Sequence, residues 1–266
     1  VILATIPPKI GKIEGIFMAG PMEQFQVKTI QPLELAGYDV SFTNSSLWMT
    51  IALGVVAVFL FVGTARPQLV PGRWQAATEY LYDFVRKMLD ENVGPEGRKY
   101  TPLIFSIFVF VLACNLLGMV PWVGSFTPTS HISVTIGLAM LVFITVCIVG
   151  FARHGLHFFS LFWPKDAGIA LGSFVFIIEF VSFLSRPFTL AIRLFANMTA
   201  GHVLMKVFGT FVVSLGSFGA LPYVFGILPL GVTIALTALE VLIAVVQAYV
   251  FALLASLYLN DAVNLH

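Results

Sequence analysis

Two consecutive stretches near the end of this chain, 168–217 and 222–260, are almost entirely apolar and each exceed the roughly 20 residues that carry a helix across a bilayer. Three shorter stretches precede them, Leu47 to Thr64, Tyr100 to Trp122 and Ile132 to Ala152. Lipid offers no partners to backbone polar groups, so segments like these are confined to helices. The mean hydropathy of +0.97, with only 10% charged residues, excludes a soluble globular protein. The expected fold is therefore an all-α polytopic membrane protein. It has five hydrophobic segments plus one amphipathic helix at about 72–92, and the last two segments form a long, strongly tilted antiparallel hairpin.

Within the amphipathic stretch, Trp74, Ala77, Leu81, Phe84, Val85 and Met88 recur at helical spacing among Glu79, Asp83, Arg86 and Lys87. It is expected to lie on the membrane surface or against a partner, the alternative being packing on the chain's own loops. Residues 1–45 read as an N-terminal tail and 46–266 as a single membrane domain. Val1 to Gly20 is interrupted by Pro7, Pro8, Gly11 and Gly15 and has no apolar core of the signal-peptide kind, and Met18 is a candidate initiator. The connection from Thr64 to Lys99 carries Arg66, Arg73, Arg86, Lys87, Arg98 and Lys99, and Arg153 and Lys165 fall in the next loop on that side. Loops on the other side, Val123 to Ser130 and Leu215 to Pro222, carry no basic residue. The basic side is thus cytoplasmic or matrix, with the C-terminus on it.

Against this background Arg193 stands out. A guanidinium keeps its proton, and at the centre of a membrane helix it costs roughly 2.5–3.5 kcal/mol on insertion scales. With about 100° per residue, Glu179, Arg186, Arg193 and Asn197 lie within roughly 40° of one another, one polar stripe on the first hairpin helix. Glu240 and Gln247 share a face of the second. For a hairpin turning near Leu221 and Pro222, residues at equal depth have position numbers with a constant sum. Arg193 with Gln247 and His202 with Glu240 satisfy that rule within a fraction of a turn. Glu179 then falls level with Asp261 near the basic side, and His202 with Glu240 toward the other. Since His202 is half a revolution from Arg193, His202 is expected to face its own chain and Arg193 another subunit.

The alternatives are blander. Polar residues glue membrane helices together, but glue needs no arginine at mid-depth with titratable groups offset to both sides. His154 and His157 are spaced for metal ligation, yet no carboxylate or cysteine closely neighbours them in sequence, and His131 precedes a span; all three read as interfacial. Cys114 and Cys147 lie in apolar runs as small hydrophobes. Asn44-Ser-Ser46 and Asn197-Met-Thr199 match glycosylation sequons too short to carry weight, and Gly168-x-x-x-Gly172 permits close helix approach. There is no phosphate-cradling glycine loop, no HExxH pair and no basic patch, so no nucleotide, metal, cofactor or nucleic acid is expected. No internal repeat of the kind that builds secondary transporters is visible.

The segment Ser185-Arg-Pro-Phe-Thr-Leu-Ala-Ile-Arg-Leu-Phe-Ala-Asn-Met-Thr-Ala-Gly-His202 resembles the signature of subunit a of the F-type ATP synthase. Similar to that family as well are Glu240-Val-Leu-Ile-Ala-Val-Val-Gln-Ala-Tyr-Val-Phe251, Asn115-Leu-Leu-Gly-Met-Val-Pro121 and the closing Tyr258-Leu-Asn-Asp-Ala-Val-Asn. The resemblance covers the chain from about Leu47 to its end. It implies a non-catalytic proton-channel subunit of the Fo sector, with Arg193 facing a rotating ring of c subunits. Asn197, His202, Glu240 and Gln247 would line the inlet half-channel and Glu179 the opposite one. Implied partners are the c-ring, peripheral-stalk b-type subunits and the lipid bilayer. The implied location is a bacterial inner membrane, with the mitochondrial inner membrane as alternative. Gly118 departs from the pattern, standing where some bacterial members carry an aspartate. The rival readings are a stand-alone ion channel or secondary transporter, and a structural membrane scaffold.

Overall fold

The structure, a computed structural model, describes residues 25–32, 34–35, 38–39, 41–120, 126–163, 168–216 and 220–264. The proposed tail over Val1 to Gly20 lies outside these residues. The part of 1–45 that is described is not simply a tail. Strands β1 (Thr29–Gln31) and β4 (Phe42–Thr43) pair antiparallel, as do β2 (Glu34–Leu35) and β3 (Tyr38–Asp39). The all-helical expectation missed these pairs because such short strands carry no readable alternation.

The strand pair delivers the chain to helix α1 (Asn44–Thr64), where the Thr43 hydroxyl caps the first turn by accepting from the Ser46 amide at 3.3 Å. Asn44 ties the same corner back to Lys28 and Gln26 at 3.1 Å each. Helix α1 is apolar all round yet mostly exposed, with Phe61 and Val58 more than half open, which suits a helix in lipid.

Helix α2 (Arg73–Asn92) matches the amphipathic stretch, and part of its apolar stripe packs on the chain's own helices. Val85, Met88 and Leu89 are buried, and Tyr82 and Phe84 meet Phe105 and Phe108 of α3 (Thr101–Gly118) edge-on or tilted. Burying Val85, Met88 and Leu89 removes their apolar surface from water. Trp74 and Tyr80 stay exposed. A 3-10 turn, Pro95–Tyr100, leads into α3, and the Arg98 guanidinium 2.8 Å from Asp90 holds that carboxyl below the usual carboxylate range.

Helix α3 is the central post. Ile104, Phe108, Val111, Cys114 and Asn115 are buried. It ends at Gly118, with Met119 as its C-cap and Val120 already outside the helix; the last two residues of the span expected to reach Trp122 lie outside the described residues. Helix α4 runs Ile132–His154, and a 3-10 segment, Gly155–Phe162, follows it. Phe158 and Phe162 of that segment meet Phe183 at 6.1 and 5.3 Å between ring centroids, fastening the connection to the next helix. Gly172 admits the Trp163 indole where a Cβ would come within 2.8 Å of it, so the expected small-residue approach accommodates a ring and not a helix.

The hairpin is α5 (Ile169–Gly216, 48 residues) and α6 (Ala220–Val263, 44 residues). At 1.5 Å per residue each is about 70 Å long, more than twice the hydrocarbon thickness, so they must tilt or project. The expected turn at Leu221 and Pro222 is displaced: α6 is already helical from Ala220, since proline is tolerated in a first turn, and 217–219 lie outside the described residues. Pro187 sits inside α5, where it removes one backbone hydrogen bond.

The helix ends sort as the basic loops require. Arg153 and His154 at the end of α4 reach Glu96 and the Val263 carbonyl, and Asn264 donates to the Val93 carbonyl at 3.1 Å. These contacts gather the ends of α2, α4 and α6 with the start of α3 on the basic side. At the opposite end a short 3-10 turn, Pro128–Ser130, packs among α3, α4 and α5.

Candidate functional site

Helices α5 and α6 pack against each other, and Leu190, Ala191, Leu194 and Met198 on one and Ala244, Ala248, Ala252 and Ala255 on the other are nearly inaccessible. Alanines every turn let the two backbones approach closely. The remaining faces point outward, and on α5 that outward face holds Phe188, Ile192, Arg193, Ala196 and Asn197. On α6 it holds Val241, Leu242, Val245 and Val246, again without charge. Arg193 is exposed, and no hydrogen bond or ion pair engages it among the described residues.

Asn197 lies one turn along. Its Nδ2 donates to Gln247 Oε1 at 2.8 Å, and Gln247 is 3% exposed. Gln247 thus pairs with Asn197 and not with Arg193, its expected partner at equal depth. Glu179 and Asp261, also expected to be level, are joined only through Arg186. Arg186 donates to Asp261 Oδ2 at 2.6 Å, lies 4.0 Å from Glu179 Oε1, and is sandwiched by the Phe183 and Tyr258 rings at 5.2 and 5.0 Å. Both observed pairings shift the register in the same direction, by one to two turns. Residue counting assumes parallel axes and short side chains; tilted helices and an arginine's reach break both assumptions.

His202 and Glu240 are brought together. Both are buried, and Nδ1 of the imidazole lies 3.4 Å from Glu240 Oε1, beyond good hydrogen-bond length but within ion-pair range. Neither Glu240 oxygen has a hydrogen-bond partner among the described residues. Gly201 makes the approach possible, because a Cβ there would stand 2.8 Å from Glu240 Oε1. On its other side His202 Nε2 is 2.7 Å from Thr127 Oγ1, and Phe25 presents its ring to the imidazole at 6.5 Å. His202 therefore faces its own chain while Arg193 does not.

Sequence reasoning did not single out Thr127, Thr129 or Phe25. The available signal was the run Phe126-Thr-Pro-Thr-Ser130, polar hydroxyls between two apolar spans. Thr129 donates to Asn115 Oδ1 at 2.7 Å, and Asn115 Nδ2 donates to the Ala244 carbonyl at 3.2 Å, so this turn is bolted to both α3 and α6. His154 is engaged by the Val263 carbonyl at 3.3 Å.

A helical bundle of this kind, with ionisable side chains inside its apolar spans, is a polytopic membrane protein of the class that moves ions, where such residues mark a path. Comparison with known proteins narrows the class. A family model described as ATP synthase A chain matches residues 46–260. The chain is similar to ATP synthase subunit a of Rhodospirillum rubrum, 51% identical over 249 residues, with 94% of this chain and 100% of the relative covered. Similar too are those of Paramagnetospirillum magneticum, 50% identical with 94% and 100% covered, and Mesorhizobium japonicum, 51% identical with 92% and 96% covered. The chain belongs to the ATP synthase A chain family. It is accordingly a component of ATP synthase serving proton transport, and a multi-pass inner-membrane protein of the bacterial type.

Proposed function

We propose that the chain is the stationary half of the proton path in the membrane sector: it provides two offset half-channels, and Arg193 separates them at the interface with a rotating ring of c subunits. It carries out no bond chemistry itself; peripheral-stalk b-type subunits hold it against the ring. The observation that carries this reading is the exposed Arg193 guanidinium midway along α5, with no hydrogen bond or ion pair among the described residues. A charge there needs a counter-charge, and among the described residues the chain supplies none to it.

The mechanism follows from electrostatics. A carboxyl on the ring must be neutral while it faces lipid and ionised when it passes Arg193, because an unpaired charge in hydrocarbon is costly. The guanidinium thereby forces deprotonation at one point of each passage and blocks direct leakage between the half-channels. Lysine is a poor substitute, since burial can neutralise an ammonium and not a guanidinium. The buried His202–Glu240 pair, with Asn197 and Gln247 between it and Arg193, serves the inlet side. An imidazole can take up a proton at one ring nitrogen and release one from the other, which suits the task.

Glu179 serves the half-channel open to the basic side. It lies about 21 Å along α5 from Arg193 at 1.5 Å per residue, next to Arg186. Glu179→Gln is expected to slow transport without releasing the subunit from the complex. With Cys114 and Cys147 replaced, the thiol of Glu179→Cys should react with a membrane-impermeant maleimide added from the basic side. Protection from that side in the assembled complex would remove the assignment. The rival reading, a self-contained channel, requires Arg193 to be matched within its own chain, and the observed pairings of Arg186, Asn197 and Gln247 all pass it by.

A further inference from the structure

We propose that Thr127 is a positioning residue for proton transfer at the His202–Glu240 pair, and that residue 118 is glycine because a side chain there would take the space of the Thr127 hydroxyl. This rests on the proposed role of that pair in the inlet half-channel and adds a residue that the role itself does not name.

The geometry runs through one ring. Thr127 Oγ1 contacts His202 Nε2 at 2.7 Å, which leaves Nδ1 on the far edge directed at Glu240 Oε1, 3.4 Å away. A histidine passing protons needs one nitrogen aimed at its partner in every protonation state. A hydroxyl is suited to hold the other nitrogen: it accepts when Nε2 carries hydrogen and donates when it does not, so the ring keeps its pose through both. A carbonyl or an ammonium could satisfy only one of the two states.

Thr127 is itself fixed. It is 5% exposed, and its carbonyl accepts from the Ser130 amide at 3.0 Å and the Ser130 hydroxyl at 2.6 Å. The Thr129–Asn115–Ala244 bonds tie the same turn to α3 and α6. Gly118, the last residue of α3, lies directly beneath. A Cβ built there would fall 1.9 Å from Thr127 Oγ1 and 2.6 Å from its Cβ, distances no side chain adopts. Since the obstruction reaches the Thr127 Cβ, rotating the hydroxyl does not relieve it; the turn must move and carry Oγ1 away from His202.

The test uses the intact ATP synthase in inverted membrane vesicles, reading ATP-driven proton pumping with the amount of this chain in the membrane measured alongside. Thr127→Val keeps the shape and removes the hydroxyl, and pumping should fall about tenfold, the scale set by losing one buried hydrogen bond. Thr127→Ser restores the hydroxyl and should recover most of that loss. Gly118→Ala should match Thr127→Val, and the double variant should be no worse than either alone, because both act on one contact. Should Thr127→Val not reach the membrane, Thr127→Ala is read in its place. Normal pumping without the hydroxyl, or Thr127→Ser as impaired as Thr127→Val at equal assembly, overturns the proposal. Arg193→Ala in the same assay separates the two levels: if it is blocked while Thr127→Val pumps normally, only the positioning role is lost, and if it too pumps normally the channel reading itself falls.

Discussion

Arg193→Ala abolishes ATP-driven proton pumping in inverted vesicles while ATP hydrolysis on the soluble side continues uncoupled. The expected loss is complete because no neighbouring group can replace the charge: Arg186 is occupied by Asp261 and Glu179 and sits two turns away. Arg193→Lys keeps a charge that burial can remove, so it too should couple poorly. Stability changes little in this account, since an exposed guanidinium without partners in its own chain contributes little to the fold. A variant that pumps at the normal rate would refute the assigned role.

The second large effect concerns His202 and Glu240. Each lies buried against the other, so His202→Ala and Glu240→Ala should each impair transport severely, and the double variant should be much less impaired than the product of the two losses. Removing His202 alone takes from the Glu240 carboxyl the imidazole beside it, and removing Glu240 alone leaves the imidazole without the carboxyl it faces. The exchange His202→Glu with Glu240→His should recover part of what either single exchange loses. Strictly multiplicative losses without rescue, in a subunit that assembles, would show that the contact is incidental to transport.

How far the sequence carried this reading differs by element. The membrane helices were legible because lipid permits few alternatives: a long apolar run without charge has to be a helix, and its limits in α1, α4 and α6 fall within a few residues of the expected ones. The His202–Glu240 contact was legible because hairpin depth is nearly a counting problem. Partners one turn away were not. Asn197 took the place expected of Arg193 against Gln247, and Arg186 came between Glu179 and Asp261, since side-chain length and helix tilt do not appear in a residue count. The packing of α2 on its own chain was equally hidden: an amphipathic period says that one face is covered, not by what. Thr127 escaped because a threonine in a connecting turn gains its meaning only from the histidine 75 positions later that folding sets beside it.

The account's central claim is that the proton path is shared, with one wall on this chain and the carrier on its partner. Reconstituting the purified chain in liposomes under an imposed membrane potential, with and without the c-ring, tests that claim directly. Proton flux should be absent with the chain alone and appear when the ring is included. Flux through the chain alone would contradict the account and establish the self-contained channel in its place.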